Sequence, residues 1–377
     1  MHMTKKTHVY DWHAKHARMI EFAGYHMPVW YTSIKDEHMT VRKAVGIFDV
    51  SHMVRVLVSG KDATNFLDYI FATNVKKIPI GKAAYTVMCN ERGGIVDDLI
   101  VYHRGDNDFF VVVNASNHEK DLNWMRKNSK GFDVKIDDVT DDVPMFAIQG
   151  PKAKDVVAEL LNVNVDEVPR FGILEGKVGE YNYIAGRTGY TGEDGFEISF
   201  FKIPIDKGSE AIKIWEQILK IGEKYGIKPC GLGARDSLRL EAGLILYGND
   251  ANEDITPLEA RIKFATDLSK EKFIGKEALL EKQKNITKKR VCFIMKEKAI
   301  PRPHFEILDL DNNVIGEVTS GTHSPLINNG IGMGYVKTEF SKGGTEVYIN
   351  IRGRPRKAVI VLPHKFLKTL KEMSSEV

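Results

Sequence analysis

Only three cysteines occur in the 377-residue chain, Cys89, Cys230 and Cys292, far apart and with no CxxC pair. That scarcity excludes a disulfide framework and a cysteine-rich metal site, and it reads as reduced core residues of a cytoplasmic protein. No apolar run approaches the ~20 residues that a membrane span needs. The opening Met1-His2-Met3-Thr4-Lys5-Lys6 lacks the apolar core of a signal peptide. An excess of one charge is missing too, since 54 basic residues face 51 acidic ones, mostly interspersed, for a net charge of +3. This gives no case for a nucleic-acid or membrane partner, while an anionic small molecule remains compatible. Proline is sparse, at 13, and no repeat or biased tract is present.

What remains is an ordinary globular composition, 43% apolar and 28% charged. The length exceeds what one core organises, so two or three domains are expected. Strands and helices mix through about residue 200 without regular βαβ alternation, which favours an α+β fold. Asp62 can cap a helix through Asn65, Phe66, Tyr69 and Ile70, and a second helix follows Pro151 through Val156, Val157, Leu160 and Leu161. Ala211, Ile214, Trp215, Ile218, Leu219 and Ile221 recur at helical spacing until Gly226 ends the element. From about residue 290 six short strands are separated by turns such as Asp311-Asn312-Asn313 and Asn328-Asn329-Gly330. They predict a separate small β-barrel or sandwich.

The most telling feature is a pair of aspartates inside a strand that is otherwise apolar on both faces, Ile95-Val96-Asp97-Asp98-Leu99-Ile100-Val101-Tyr102. Buried carboxylates are costly, so at least one of the two is expected to do chemistry. Alternation along a strand sends neighbours to opposite faces, which argues against a dyad sharing one proton and for a single working carboxylate. Ala83 to Cys89 pairs with this strand across Asn90 to Gly94. With a four-residue loop, Asn90 falls opposite Ile95, and Tyr85, Asp98 and Tyr102 share a face. The third strand, Phe109 to Asn114, has a register ambiguous by one, which leaves the side of Asn114 open.

Other motifs carry less. Arg187 to Glu197 is glycine-rich and aromatic but contains no phosphate loop, and its glycines on periodicity alone make turns. Gly231-Leu232-Gly233-Ala234-Arg235-Asp236 opens a helix through Leu238, Leu240, Leu244 and Leu246, with Asp236 where a dinucleotide fingerprint needs glycine. Arg235 and Arg239 share a helix face. One can meet an anionic ligand while the other pairs with Asp236 or Glu241. His8, His13 and His16 match no metal-ligand spacing, Ser51-His52 lacks a nucleophile elbow, and Arg352 to Lys357 reads as a solvated basic turn.

Taken together, EFAGYHMP at 21–28, GIFDVSHM at 46–53, GGIVDDLIVY at 93–102, RTGYTGEDGFE at 187–197, KPCGLGARD at 228–236 and GEVTSGTHSP at 316–325 resemble the glycine cleavage T-protein family of aminomethyltransferases, in order over nearly the whole chain. The resemblance implies a three-domain cloverleaf around a central folate pocket, divided as 1–52 with 140–248, 53–139 with 249–284, and a C-terminal barrel over 285–377. It implies transfer of a one-carbon unit from the aminomethyl-lipoyl H-protein to tetrahydrofolate with release of ammonia, and no metal. The family's catalytic carboxylate matches Asp98. Its folate-pocket residues match Met53, Tyr85, Tyr102, Asn114, Tyr190, Glu197 and Arg235, with Glu197 suited to the pterin's amino and ring nitrogens. Val54 and Leu244 depart from the family pattern. They keep open a folate-dependent demethylase of a small methylated amine or sulfonium compound. A folate-binding iron-sulfur assembly relative is disfavoured, because Lys272 to Glu277 lacks the cysteine of that group's motif.

Overall fold

The computed structural model describes residues 4–375, in which helices and strands are mixed and the last six strands close into a barrel. The chain forms two compact units, one of residues up to 86 with 97–235, the other of 87–96 with 236 onward. None of the helices among the described residues is long and apolar enough to cross a membrane.

In the first unit, a six-stranded sheet runs in the order Ile173–Val178, Tyr181–Gly186, Gly195–Phe200, Met145–Gln149, Val45–Asp49, Ile227–Pro229. Its pairs are antiparallel except the last, which is parallel. Helices Ala153–Leu161 and Gly208–Gly222 carry the two apolar stripes expected from spacing. Val156, Val157, Leu160, Ala211, Ile214, Trp215 and Ile218 are buried in one core with Ile47, Phe146, Ile148, Phe196 and Ile198 of the sheet. Beyond Gly222 a 3₁₀ turn, Glu223–Tyr225, leads to Gly226, whose φ of 77° supplies the left-handed stop.

A five-stranded sheet, in the order Lys82–Cys89, Ile95–Gly105, Asp108–Val113, Val54–Ser59, Lys135–Asp138, carries the aspartate pair. Asp62 stands at the N-cap of helix Ala63–Ile70 but does not cap it, because its Oδ2 accepts the Asp133 amide at 2.9 Å. The hairpin between the first two strands closes one residue earlier than expected. Asn90 N–H donates to Gly94 O, and Gly93 N–H to Asn90 O, so Gly94 rather than Ile95 faces Asn90. Gly93, at φ 80°, takes the left-handed position of this bulged turn, which a Gly-Gly pair readily accommodates.

In the second unit, the strands Lys288–Met295, Glu306–Leu308, Val314–Ser324, Asn329–Lys337, Glu346–Ile351 and Arg354–Val361 form a closed barrel rather than a sandwich. Val291, Phe293, Ile307, Val318, Val347 and Ile360 fill its core. Helix Leu232–Glu241 ends before the expected Leu244 and Leu246. Gly243 follows at φ 68°, where an added Cβ would lie 2.6 Å from Pro363 O, so the chain must turn there.

Candidate active site

The Ile95–Gly105 strand presents its two aspartates differently. Asp97 is fully buried and accepts three N–H groups: the Asn114 backbone amide at 3.0 Å, Asn114 Nδ2 at 2.8 Å and Asn117 Nδ2 at 2.7 Å. Asp98 is only partly buried and takes the Tyr85 hydroxyl on Oδ2 at 3.0 Å and Asn114 Nδ2 on Oδ1 at 3.1 Å. The register Ile100↔Val112, carried on by two residues, sets Asn114 directly opposite Asp98. Asn114 therefore joins the Asp98 cluster, and its amide reaches both carboxylates. Burial pushes the Asp98 carboxyl up to about 7, the Asp97 charge adds to the rise, and the bonds from Tyr85 and Asn114 oppose it. A carboxyl poised there can exchange its proton near neutral pH.

Four residues along the same strand face, Tyr102 extends the cluster. Its hydroxyl meets Thr188 Oγ1 at 3.2 Å, and Thr188 Oγ1 donates to Glu197 Oε2 at 2.6 Å. One proton per hydroxyl makes Tyr102 the donor to Thr188. Burial, with the Glu197 charge behind it, keeps the Tyr102 phenol protonated by raising it far above its ordinary range. The ring lies against Gly186, where a Cβ would approach Tyr102 Cε1 to 2.4 Å.

The Arg187 to Glu197 segment is held rigidly rather than left as a free loop. Arg187 grips Asp194 with Nε at 2.9 Å and Nη2 at 2.6 Å, a bidentate fork across the segment. Gln149 Nε2 donates to Thr188 O at 3.1 Å, and Thr191 Oγ1 to Gln149 Oε1 at 2.9 Å. Gly189 and Gly195 serve this packing, since a Cβ on either would run into Gln149 or Ile148 O. Tyr190 emerges from the segment under Arg235, whose guanidinium carbon lies 4.7 Å from the ring centroid.

Arg235 sits in the first turn of Leu232–Glu241, whose start is fixed by Glu37. That buried carboxylate accepts Gly231 N–H at 2.8 Å together with Tyr31 and Thr32 N–H. Arg235 forms no ion pair among the described residues. Arg239, four residues on, is committed within the second unit to Asp236 at 2.8 Å and Asp250 at 2.6 Å. The two arginines thus divide as the sequence suggests, with Arg235 available to an anion. Met53 closes the turn after Val45–Asp49, where buried Arg55 bonds the carbonyls of Ser51 and Met53. Beside it His52 is buried against Phe22. Burial and then the Arg235 charge push its imidazole down to about 3, and its Nδ1 meets no partner. The neutral ring is therefore a spare polar group next to Arg235.

Sequence reasoning missed Thr188, whose hydroxyl links Tyr102 to Glu197, and Asn117, which with Asp97 stands behind the site. Asn117 had a signal, because an asparagine just past a buried strand can reach back to it. Thr188 had none beyond its place between Arg187 and Gly189. Of the histidines, His13 is enclosed by Asp49 at 2.9 Å and the Tyr31 hydroxyl at 2.9 Å, and His16 bonds Trp12 O. Ser51 bonds the Met145 backbone rather than His52.

Residues 9–270 match the family model described as the GCVT N-terminal domain, and 288–366 match the glycine cleavage T-protein C-terminal barrel domain. The chain belongs to the glycine cleavage T-protein family. Its curated relatives include a probable aminomethyltransferase of Pyrococcus furiosus, 44% identical, with 96% of each chain covered. The aminomethyltransferase of Phocaeicola vulgatus is 47% identical over 92% of this chain and 94% of its own. Among solved structures, the glycine cleavage system aminomethyltransferase T from Bartonella henselae superposes with a TM-score of 0.87 at 34% identity, covering 96% of this chain and 98% of that one. The T-protein assignment makes the chain an enzyme, an aminomethyltransferase, and agrees with the α+β architecture and C-terminal barrel described above.

Proposed function

We propose that this site transfers the aminomethyl carbon carried on the lipoyl sulfur of an H-protein to tetrahydrofolate, releasing ammonia and the dihydrolipoyl carrier. Asp98 is the catalytic carboxylate, and Met53, Tyr85, Tyr102, Asn114, Tyr190, Glu197 and Arg235 form the folate pocket. The observation that carries the reading is Asp98 itself, a carboxyl raised to about 7 yet held on both oxygens by Tyr85 and Asn114.

The residues suit a folate. Glu197 offers a fixed acceptor for paired N–H groups of a pterin, and Arg235 over Tyr190 offers a cation to an anionic group. When bound, tetrahydrofolate supplies the amine nucleophile that takes up the carbon. The protein's part is to hold charge and orientation. Breaking the carbon–sulfur bond builds positive charge on the aminomethyl carbon, and ionised Asp98, fixed before the reaction, stabilises that charge without reorganising. In its protonated form the same carboxyl has lost that capacity, so its ionisation near neutrality gates the rate.

The test is direct. Purified protein supplied with aminomethylated lipoyl carrier should release ammonia only when tetrahydrofolate is added. A protein that instead demethylates a small amine, with no ammonia from the carrier, would refute the proposal.

A further inference from the structure

Behind Asp97 lies a third carboxyl that the proposed reaction does not use. Asp121, in the His118–Asn128 helix, is fully buried, and neither of its oxygens receives a hydrogen bond from an N–H or O–H donor among the described residues. It lies four residues after Asn117, on the same side of the chain that sends the Asn117 amide to Asp97. The polar group it faces is the Asp97 carboxylate, with Asp98 beyond, and Lys120 of its own helix is a cation that opposes their effect. The neighbouring strand Lys135–Asp138 carries its charges in pairs, Lys135 with Asp137 at 2.6 Å and Asp138 with His118 at 2.6 Å.

An ionised carboxylate in such a place would have no donor and a like charge for a neighbour. Asp97, by contrast, already accepts three N–H groups and is equipped to be the anion. We propose that Asp121 is a positioning residue held as the neutral acid, which donates its O–H to Asp97 and, through Asp97 and Asn114, fixes the orientation and ionisation of Asp98. The inference rests on the reading of Asp98 as the catalytic carboxylate. Burial and then the Asp97 charge push the Asp121 carboxyl up, the direction the arrangement requires.

The shared element is Asn114. Its Nδ2 bridges Asp97 Oδ1 and Asp98 Oδ1, so any movement of Asp97 is passed to the amide that holds Asp98. With the Asp121 proton in place, Asp98 is opposed by one neighbouring negative charge. If Asp121 were ionised, it would be opposed by two, and its acid limb would move to higher pH.

Two measurements decide it. Infrared difference spectra of the full-length protein at neutral pH should contain a protonated-carboxyl C=O band that D121N removes; this readout needs no turnover. In the ammonia-release assay, D121N, which still offers an N–H to Asp97, should retain most of kcat and the wild-type acid limb. D121L, neutral but without a donor, should lose tenfold or more in kcat, with a displaced acid limb and little change in KM for tetrahydrofolate. Failure of D121N to remove any protonated-carboxyl band from the wild-type spectrum overturns the proposal, as does a D121L profile that matches D121N. If D121L does not fold, the band and the D121N profile still decide. If the band is present but the carrier yields no ammonia, the proton on Asp121 stands and the reaction assigned to Asp98 falls.

Discussion

At the residue scale, the account turns on two adjacent aspartates that the fold has made unlike. Alternation alone predicted that one would work and the other would support. The structure gives the physical difference: three N–H donors and full burial for Asp97, a tyrosine, a shared amide and partial exposure for Asp98. Replacing Asp97 by Asn leaves all three donors facing an amide rather than a carboxylate, at least one of them against its NH2 group. It should cost about 1–3 kcal/mol of stability in denaturant unfolding, with a smaller loss of kcat than D98N. Removing the Tyr85 hydroxyl in Y85F takes away a bond to the charged form of Asp98. The acid limb of the rate profile should therefore shift to higher pH, and a shift to lower pH would contradict the assignment. Stability supplies an independent check. Because the folded-state Asp98 carboxyl lies above its unfolded value, its contribution is present below the unfolded pKa and is lost as pH rises towards 7. D98N escapes that loss. The difference between its melting temperature and that of wild type should widen in its favour as pH rises from about 4 to 7, and the two should converge in acid.

At the scale of elements, the sequence was most readable where periodicity and turn chemistry agreed. The apolar stripes of Ala153–Leu161 and Gly208–Gly222 and the six barrel strands follow from spacing. Less readable were the details decided by partners distant in sequence. Asp62 has the right residue type for a cap, yet Asp133 claims its carboxylate. The Asn90 to Gly94 turn closes on a bulge that adjacent glycines permit but do not demand, and the pairing of Asn114 with Asp98 depends on a loop whose length composition does not determine. Gly189 and Gly195 read locally as turn formers, whereas they, and Gly186 just before the segment, are required by close packing. Gly186→Ala tests this reading. Its Cβ would press on the Tyr102 ring, so it should destabilise by about 1–3 kcal/mol and raise KM for tetrahydrofolate by loosening the Tyr102–Thr188–Glu197 chain, as read by thermal melts and steady-state kinetics. An alanine variant with unchanged KM would detach that chain from folate binding.

At the scale of the whole molecule, fold class and the C-terminal barrel were legible because they depend on the succession of strands and helices over hundreds of residues. The candidate site was read chiefly through ordered motifs spread along the chain, since its parts come from six separated segments that no single period links. The near-complete coverage of aminomethyltransferase relatives agrees with the family that those motifs point to. The central claim is that Asp98 performs the chemistry while other residues hold the folate. It is tested most directly by placing D98N beside wild type in two assays on the same preparations: tetrahydrofolate binding by calorimetry, and ammonia release from aminomethyl-lipoyl H-protein. The account predicts a Kd within a few-fold of wild type and a rate lowered by about 10²-fold or more. Turnover near the wild-type rate, with folate bound normally, would contradict it.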